Sequence, residues 1–451
     1  MALVSVATVP LVYRLGRQVA GVETGLLAAL VMTLAPWHIQ ITRIGLRIAL
    51  SPFFVALTFV VLFRALETGR RDHWVAAALA AGAGVYGYTG YRPMLLVVAI
   101  TILLRLVHAS RGGFSPDREA AKALGGHMAA SAAAAALLLA PLARYAYDRP
   151  DAFWFRTISR VTGSEAAIAG SPWSVALSNW RNALLMFNLT ADTAWFQSPP
   201  GRPALETVGG GLLVLGVVTA LYRARHGDWR SAALLASVPV LVSASALSLA
   251  FPRENPSLSR AAAAIPPIAV LAALPLPVLG RRLRAAGGEY GTGAYMIACF
   301  ALFAAMAHNT GQRYFVEYRT QYDRSTHHTT QYAAVMRDFV ALGGDLGHAY
   351  LVGWRHGPDY RAIGDLAGDP DWQGLLWGAA DDGSDAVQQA ELAGHPRDPV
   401  RKLYLVGGPR AAENLAYLRS LYPRAMETHH PSAVEGKDFW SLLVPGEVAL
   451  P

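Results

Sequence analysis

Three clusters of arginine with aromatic or hydroxyl neighbours sit on short links between apolar runs, and they are the residues best suited to hold an anion. The densest is Pro36-Trp-His-Ile-Gln-Ile-Thr-Arg43-Ile-Gly-Leu-Arg47. On a helix Arg43 and Arg47 are four apart and share a face. Two guanidinium groups beside the imidazole of His38 can grip a phosphate through paired charge-assisted hydrogen bonds; the competing reading is that they snorkel to lipid headgroups. The second cluster is Tyr86, Tyr88, Thr89, Tyr91 and Arg92, ahead of Pro93. Tyrosines at a span end form an interfacial belt, while Tyr88 and Arg92, four apart, also suit a sugar hydroxyl and a phosphate oxygen. The third is Arg253, Glu254, Asn255 and Arg260, where Glu254 either pairs with a neighbouring arginine or serves a substrate. A carboxylate can accept the proton of an acceptor hydroxyl. The candidates are Glu254, Asp192 and Asp148, with Asp151 and Glu165 nearby in sequence, and spacing alone does not choose among them. No metal site is expected, because the adjacent pairs His327-His328 and His429-His430 point in different directions on a strand. No cofactor motif is present: Gly407-Gly408-Pro409 lacks phosphate-loop spacing and reads as a plain strand-to-helix turn.

The elements that must position these residues are membrane spans. Of 451 residues, 53% are hydrophobic and 16% charged, too apolar for an ordinary soluble protein of this size. A span needs about 20 apolar residues, and roughly ten windows approach that length. They run from residues 2 to 13, 20 to 37, 44 to 66, 74 to 91, 93 to 107, 124 to 143, 208 to 222, 231 to 251, 261 to 279 and 293 to 308. Arginines crowd into alternate links: Arg14 and Arg17; Arg64, Arg70 and Arg71; Arg105, Arg111, Arg118 and Lys122; Arg223, Arg225 and Arg230; Arg281, Arg282 and Arg284. Lys and Arg gather in cytoplasmic loops, so these links are expected inside and the three clusters outside. The formal net charge of +8 is thereby accounted for by topology, and nucleic-acid binding is not expected. Cys299 is the single cysteine, so neither a disulfide within the chain nor a cysteine metal site can form.

The fold expected is an α-helical polytopic membrane domain over residues 1–310 and a small soluble α/β domain over 311–451. The membrane domain carries a large outer loop at about 144–206, with aromatic residues in a polar background suited to a headgroup layer. In the C-terminal domain, Thr330 to Leu342 has helical spacing, His348 to Val352 and Lys402 to Val406 are strand-like, Ala411 to Leu421 is helical and Phe439 to Val444 is a last strand. By the parity of the spans this domain is expected outside the plasma membrane.

Leu15-Gly-Arg-Gln-Val-Ala-Gly21, with the span ending Leu34-Ala-Pro-Trp-His-Ile-Gln-Ile-Thr-Arg43, resembles the second and third spans of the GT-C membrane glycosyltransferases. The likeness is to their protein O-mannosyltransferase and lipid A aminoarabinose transferase branch. Tyr86 to Arg92 resembles a tyrosine-rich outer turn of bacterial members; Met186-Phe-Asn188 with Pro200-Gly-Arg-Pro203 resembles their large outer loop, and Arg260 before Pro266-Pro267 an arginine or lysine close to an outer turn. The resemblance implies transfer of a sugar from a polyprenyl-phosphate donor to a glycan, lipid or protein acceptor at the outer face of a bacterial plasma membrane. His38, Arg43, Arg47, Tyr88, Arg92 and Arg260 would hold the donor. Family members begin with a further span and a loop bearing the aspartate taken as catalytic; Met1 to Tyr13 aligns with the span after it, so that aspartate has no matching position. The expectation is a chain lacking that first span, for which transfer activity and inactivity as encoded both stay open. The competing readings are a transporter or flippase of a lipid-linked glycan, and a non-catalytic scaffold.

Overall fold

Ala and Leu are frequent in the apolar windows and lose little or no side-chain freedom in a helix, and each window is helical over most of its length in the computed structural model. The structure describes residues 1–111, 118–164, 166–168, 170–192, 194, 196–354, 357–376, 400–432 and 436–446, without the side chains of 111, 118–124, 156 and 289. Glu165 therefore lies outside the described residues. The chain divides into two compact units, Met1–Arg319 and Thr320–Pro451.

The first unit is helical. In order it has α1 (Ala2–Ala20), α2 (Val22–Leu34), α3 (Pro36–Arg43), α4 (Leu50–Thr68), α5 (Arg71–Gly87), α6 (Met94–Arg111) and α7 (Arg118–Asp148). Then follow α8 (Pro150–Thr162), α9 (Pro172–Leu185), α10 (Thr207–Arg225), α11 (Trp229–Leu241), α12 (Ser243–Ala246), α13 (Ile265–Ala273) and α14 (Pro275–Gly311). Among the described residues, seven helical stretches are long and apolar enough to cross a membrane, and α2 with α3, bent by 55°, makes an eighth as a broken span or re-entrant loop. The two remaining windows of the expected ten lie outside this count for different reasons: α1 has 19 residues but carries Arg14 and Arg17 in its second half, which lowers its mean hydropathy, and α5 has 17 residues, one fewer than the shortest stretch counted. Large apolar side chains such as Leu103, Leu137, Val218, Ile297 and Phe300 face outward and are exposed, as lipid-facing residues of a multi-pass membrane protein must be. The middle of the bundle is α13, whose nine residues are all buried. It packs on α2, α10 and α11.

Caps fix where several helices begin. Glu206 accepts hydrogen bonds from the Val208 and Gly209 amides at the head of α10, and Asp228 does the same for Arg230 and Ser231 at the head of α11. The large loop holds two amphipathic helices. On α8, Trp154, Phe155 and Ile158 are exposed while Ser159 is buried; on α9, Trp173 and Leu177 are exposed while Asn179 is buried and donates to the Ala246 carbonyl at 3.0 Å. Exposed aromatic and aliphatic faces of this kind suit a membrane surface.

The second unit is a small α/β layer. Its sheet has the order β2-β1-β3-β5-β4, with β1 (Ala349–Val352), β2 (Leu375–Leu376), β3 (Lys402–Gly407), β4 (Met426–His430) and β5 (Phe439–Val444). β1 runs parallel to β2 and β3, and β5 is antiparallel to β3 and β4. Side chains alternate across the sheet: Leu403 and Leu405 join Met336 and Phe339 of the helix Thr329–Ala341 on one face, and Tyr404 and Val406 join Leu415 and Leu418 of the helix Ala411–Leu421 on the other. β2, β4 and the helix Tyr360–Ala367 escaped the sequence reading; β2 is two residues long, and β4 reads Met-Glu-Thr-His-His, without an apolar alternation to mark it.

Candidate polar site at the arginine-poor end of the bundle

The spacing argument for the first cluster fails on the backbone. α3 ends at Arg43, and Gly45 adopts φ 72°, a left-handed conformation that glycine accepts and other residues resist. Arg47 lies beyond that break in a short 3-10 turn, so Arg43 and Arg47 do not share a helix face. Tyr88 and Arg92 are not on one helix either: Tyr88 is extended (φ −131°, ψ 140°) and Thr89–Tyr91 is a 3-10 turn. Arg43 instead places its guanidinium over the rings of Tyr318 and Tyr314, at 4.5 and 5.2 Å, and Arg47 is exposed. His38 is buried and its Nε2 lies 3.0 Å from Ser5 Oγ on α1. It ties two helices together, and its Nδ1 is buried without a hydrogen-bond partner among the described residues.

One loop, residues 250–260, nevertheless gathers four parts of the chain: α3, the 192–197 stretch, the tyrosine turn and α8. The Leu258 carbonyl accepts a hydrogen bond from the Trp37 indole of α3 at 3.0 Å, and the Leu258 amide donates to Asp192 at 3.0 Å. Ser259 donates its amide to Gln197 at 2.9 Å. Gly90 lies against the Arg260 carbonyl so closely that a Cβ there would come within 2.8 Å of that oxygen and of the Tyr88 ring, which is why the tyrosine turn carries a glycine. The Ala250 amide donates to the Arg160 carbonyl of α8 at 3.0 Å. The outer-loop motifs also meet: Ala204 and Leu205, after Pro200–Pro203, donate to the carbonyls of Met186 and Phe187 at 2.8 and 3.3 Å.

The side chains around this segment hold more positive than negative charge. Arg160 and Arg260 both donate to the same oxygen, Glu254 Oε2, the first at 3.0 Å. Their side chains are 21% and 20% exposed, against 46% for Glu254. Nη1 of Arg260 is buried with no hydrogen-bond acceptor among the described residues, and Arg160 stacks 3.9 Å above the Phe251 ring. Arg92 sits 4.8 Å from the centre of the Phe153 ring. Phe153 and Arg160 are seven apart on α8 and share a face. Arg160 escaped the sequence reading; that spacing, with its counterparts Arg92 and Glu254 far away in the chain, was the only signal.

The three candidate carboxylates differ. Burial would raise the pKa of Glu254, but the hydrogen bonds and charges of Arg260 and Arg160 outweigh it and hold the carboxyl below its ordinary range. So held, it is a weak base. Asp192 is shifted the other way: burial pushes it up, against the Ala194 and Leu258 amides, Ser257 and the charge of Arg260. Its oxygens are occupied, Oδ1 by the Ala194 amide at 2.8 Å and Oδ2 by the Leu258 amide, so it organises the loop. Asp148 pairs with Arg144 at 2.6 Å at the end of α7. Of the expected site residues, Tyr88, Glu254, Arg260 and Asp192 thus meet at the 250–260 loop and Arg92 borders α8, while His38, Arg43 and Asp148 have partners elsewhere and Arg47 is exposed. Among the described residues no group of three His, Cys, Asp or Glu side chains could hold a metal ion. His429 lies 3.0 Å from Asp438 and His430 2.8 Å from Ser441.

Fold and site together define a multi-pass membrane protein with a cationic polar cluster at one end of its helical bundle. Residues 1–115 match the family of dolichyl-phosphate-mannose-protein mannosyltransferases, a stretch that includes Leu15–Arg43 and Tyr86–Arg92, which carry much of the GT-C resemblance. No curated protein matches the chain in sequence. In structure it is similar to the archaeal oligosaccharyltransferase AglB from Archaeoglobus fulgidus, solved with an inhibitory peptide and a dolichol-phosphate (TM-score 0.47, 14% identity, 83% of this chain and 52% of that one). It is also similar to ArnT from Cupriavidus metallidurans, solved with undecaprenyl phosphate (TM-score 0.49, 13% identity, 100% of this chain and 84% of that one). The chain spans about half the length of the archaeal enzyme.

Proposed function

We propose that this protein transfers a sugar from a polyprenyl-phosphate-linked donor to a glycan, lipid or protein acceptor, at the outer face of a bacterial plasma membrane. The observation that carries the reading is the convergence of Arg160 and Arg260 on one oxygen, with an Arg260 nitrogen buried and without an acceptor among the described residues. Two guanidinium groups arranged in that way suit a phosphate, and the matched family supplies the class of donor. In transfer, their charge would stabilise the phosphate as it leaves the sugar carbon. A base must take the acceptor's proton, and no carboxylate of this chain is assigned to that step. The arginine-rich links would face the cytoplasm, which puts the polar cluster, and the unit Thr320–Pro451, outside.

Full-length protein in nanodiscs, given undecaprenyl-phosphate mannose labelled in the sugar, tests the reading. Sugar transfer to added acceptor, with release of undecaprenyl phosphate, is expected from the wild type and lost in Arg260→Ala. Equal turnover in Arg260→Ala would remove the phosphate site from this position. Protease applied to intact cells is expected to cut the C-terminal unit; cutting only after permeabilisation would reverse the orientation.

A further inference from the structure

Glu254 is the most exposed member of its cluster, yet both guanidiniums point at it. Its Oε2 occupies the place where their N–H groups converge, and its partners come from different elements, Arg160 from α8 and Arg260 from the loop that follows Glu254 itself. The two cations are about four-fifths buried and fixed. Arg160 is held against the Phe251 ring, and Arg260 lies in the segment pinned by Trp37, Asp192 and Gln197. The carboxylate is the mobile partner by construction, because it stands in a three-residue 3-10 turn, Pro252–Glu254, none of whose residues is buried. Glu254 presents one oxygen to both guanidiniums, and Arg260 keeps a spare buried donor among the described residues even with Glu254 in place.

We infer that Glu254 is a resident counter-ion which a phosphate monoester or diester entering between Arg160 and Arg260 must displace. This rests on the donor-phosphate reading of the same cluster and adds what that reading lacks: the competitor that sets affinity. With the guanidiniums already paired, the entering phosphate exchanges one anion for another, so only a ligand with more acceptor oxygens than a carboxylate, able to use the spare Arg260 donor, gains from the exchange. The arrangement thereby discriminates against carboxylate-bearing lipids. After displacement Glu254 faces the bound anion across a short gap, and the repulsion favours release of the spent lipid phosphate once the sugar has left.

The test is binding of farnesyl phosphate to the full-length protein in nanodiscs, with farnesol and a farnesyl carboxylate as controls, in wild type, Glu254→Gln, Arg260→Ala and the double variant. Removing the charge of Glu254 is expected to tighten farnesyl phosphate about threefold to tenfold, the range of a partly exposed ion pair, to bring the carboxylate analogue into measurable binding, and to leave farnesol unchanged. In the Arg260→Ala background the gain from Glu254→Gln should vanish, which a merely structural role for Glu254 would not produce. If wild type binds farnesyl phosphate and Arg260→Ala does not, but Glu254→Gln binds equally or more weakly, the counter-ion inference falls and the phosphate site stands. Should Glu254→Gln prove unstable, Glu254→Asp, which keeps the charge and shortens its reach, is expected to give a smaller gain in the same direction; no gain there would overturn the inference. If neither wild type nor Glu254→Gln distinguishes farnesyl phosphate from farnesol, the phosphate reading itself fails, and the inference with it.

Discussion

The two ends of the helical unit hold the same cation in different company. At the arginine-rich end, guanidiniums have carboxylates of their own: Arg70 with Asp72 and Arg223 with Asp228, each at 2.7 Å, Arg230 with Glu67, and Arg284 with Glu23 at 3.8 Å. At the other end Arg202 has Glu317 and Arg144 has Asp148, but Arg160 and Arg260 share Glu254, Arg43 and Arg92 rest on aromatic rings, and Arg313 spends two nitrogens on the carbonyls of Pro203 and Leu205. The rich end serves topology, and four of its arginines each have a carboxylate among the described residues, whereas at the poor end Arg160 and Arg260 share one carboxylate in a more buried setting. A ring or a carbonyl steadies a guanidinium without cancelling its charge, which leaves the cation available to an anion from outside.

The sharpest way to break this contrast is a matched pair of truncations. Arg260→Ala is expected to weaken farnesyl phosphate binding about thirtyfold or more, corresponding to about 2 kcal/mol or more for a largely buried, hydrogen-bonded charge. Arg230→Ala removes a pair that is about a third exposed at the opposite end, and is expected to leave that affinity within about twofold and to lower stability by about 1 kcal/mol or less. Titration calorimetry and thermal denaturation on the same nanodisc samples measure both. Equal losses of affinity in the two variants would mean that the ligand responds to overall charge and not to the cluster.

A smaller effect is expected from the residue that shapes the cluster without touching it. Asp192 accepts one backbone amide on each oxygen, and in Asp192→Asn one of those amides would face an NH2 group. Leaving a buried donor unpaired costs about 1 to 3 kcal/mol, so the variant should denature earlier by that amount. Its farnesyl phosphate affinity should also fall, because the Leu258–Arg260 segment loses an anchor. A variant as stable as wild type would show that Trp37 and Gln197 hold the segment without it.

How much of this was legible in the sequence depends on which interactions place a residue. The spans were legible because hydrophobic length is a local property, and the strands at Lys402 and Phe439 because alternation is. Arg260, Tyr88 and Glu254 were singled out from their types and their position in arginine-poor links, and the structure brings them to one segment. Arg43 with Arg47 and Tyr88 with Arg92 were paired by assuming that helix continues through them, and a single left-handed glycine and an extended tyrosine undo both pairings. Arg160 was invisible for the opposite reason. Its partner is 94 residues away, and only the packing of α8 against the 250–260 loop reveals it. Local periodicity places elements, while charge pairs across long sequence separations are decided by packing that no window contains.

The finest test of the contrast uses acid. Glu254 has a folded-state pKa below its ordinary value of 4.5 because Arg260 and Arg160 together outweigh its partial burial. A carboxyl lowered on folding contributes stability that is complete above the unfolded value and is lost as pH falls through the folded one. Asp192, raised chiefly by burial from an ordinary 3.8, runs the opposite way: as pH falls from neutral, the folded state takes up its proton first and becomes relatively more stable. The two carboxyls therefore oppose each other as pH falls toward and below 4.5, and in wild type part of the acid sensitivity of this end is hidden. Glu254→Gln removes the component that is lost in acid and leaves the Asp192 component. Melting temperatures taken between about pH 6 and pH 3 should accordingly fall less steeply in Glu254→Gln than in wild type. The same comparison for Asp192→Asn should show a steeper fall than wild type, since only the Glu254 component remains. Parallel curves for all three proteins would mean that neither carboxyl changes its proton affinity on folding, and that the charge imbalance at this end is screened by solvent.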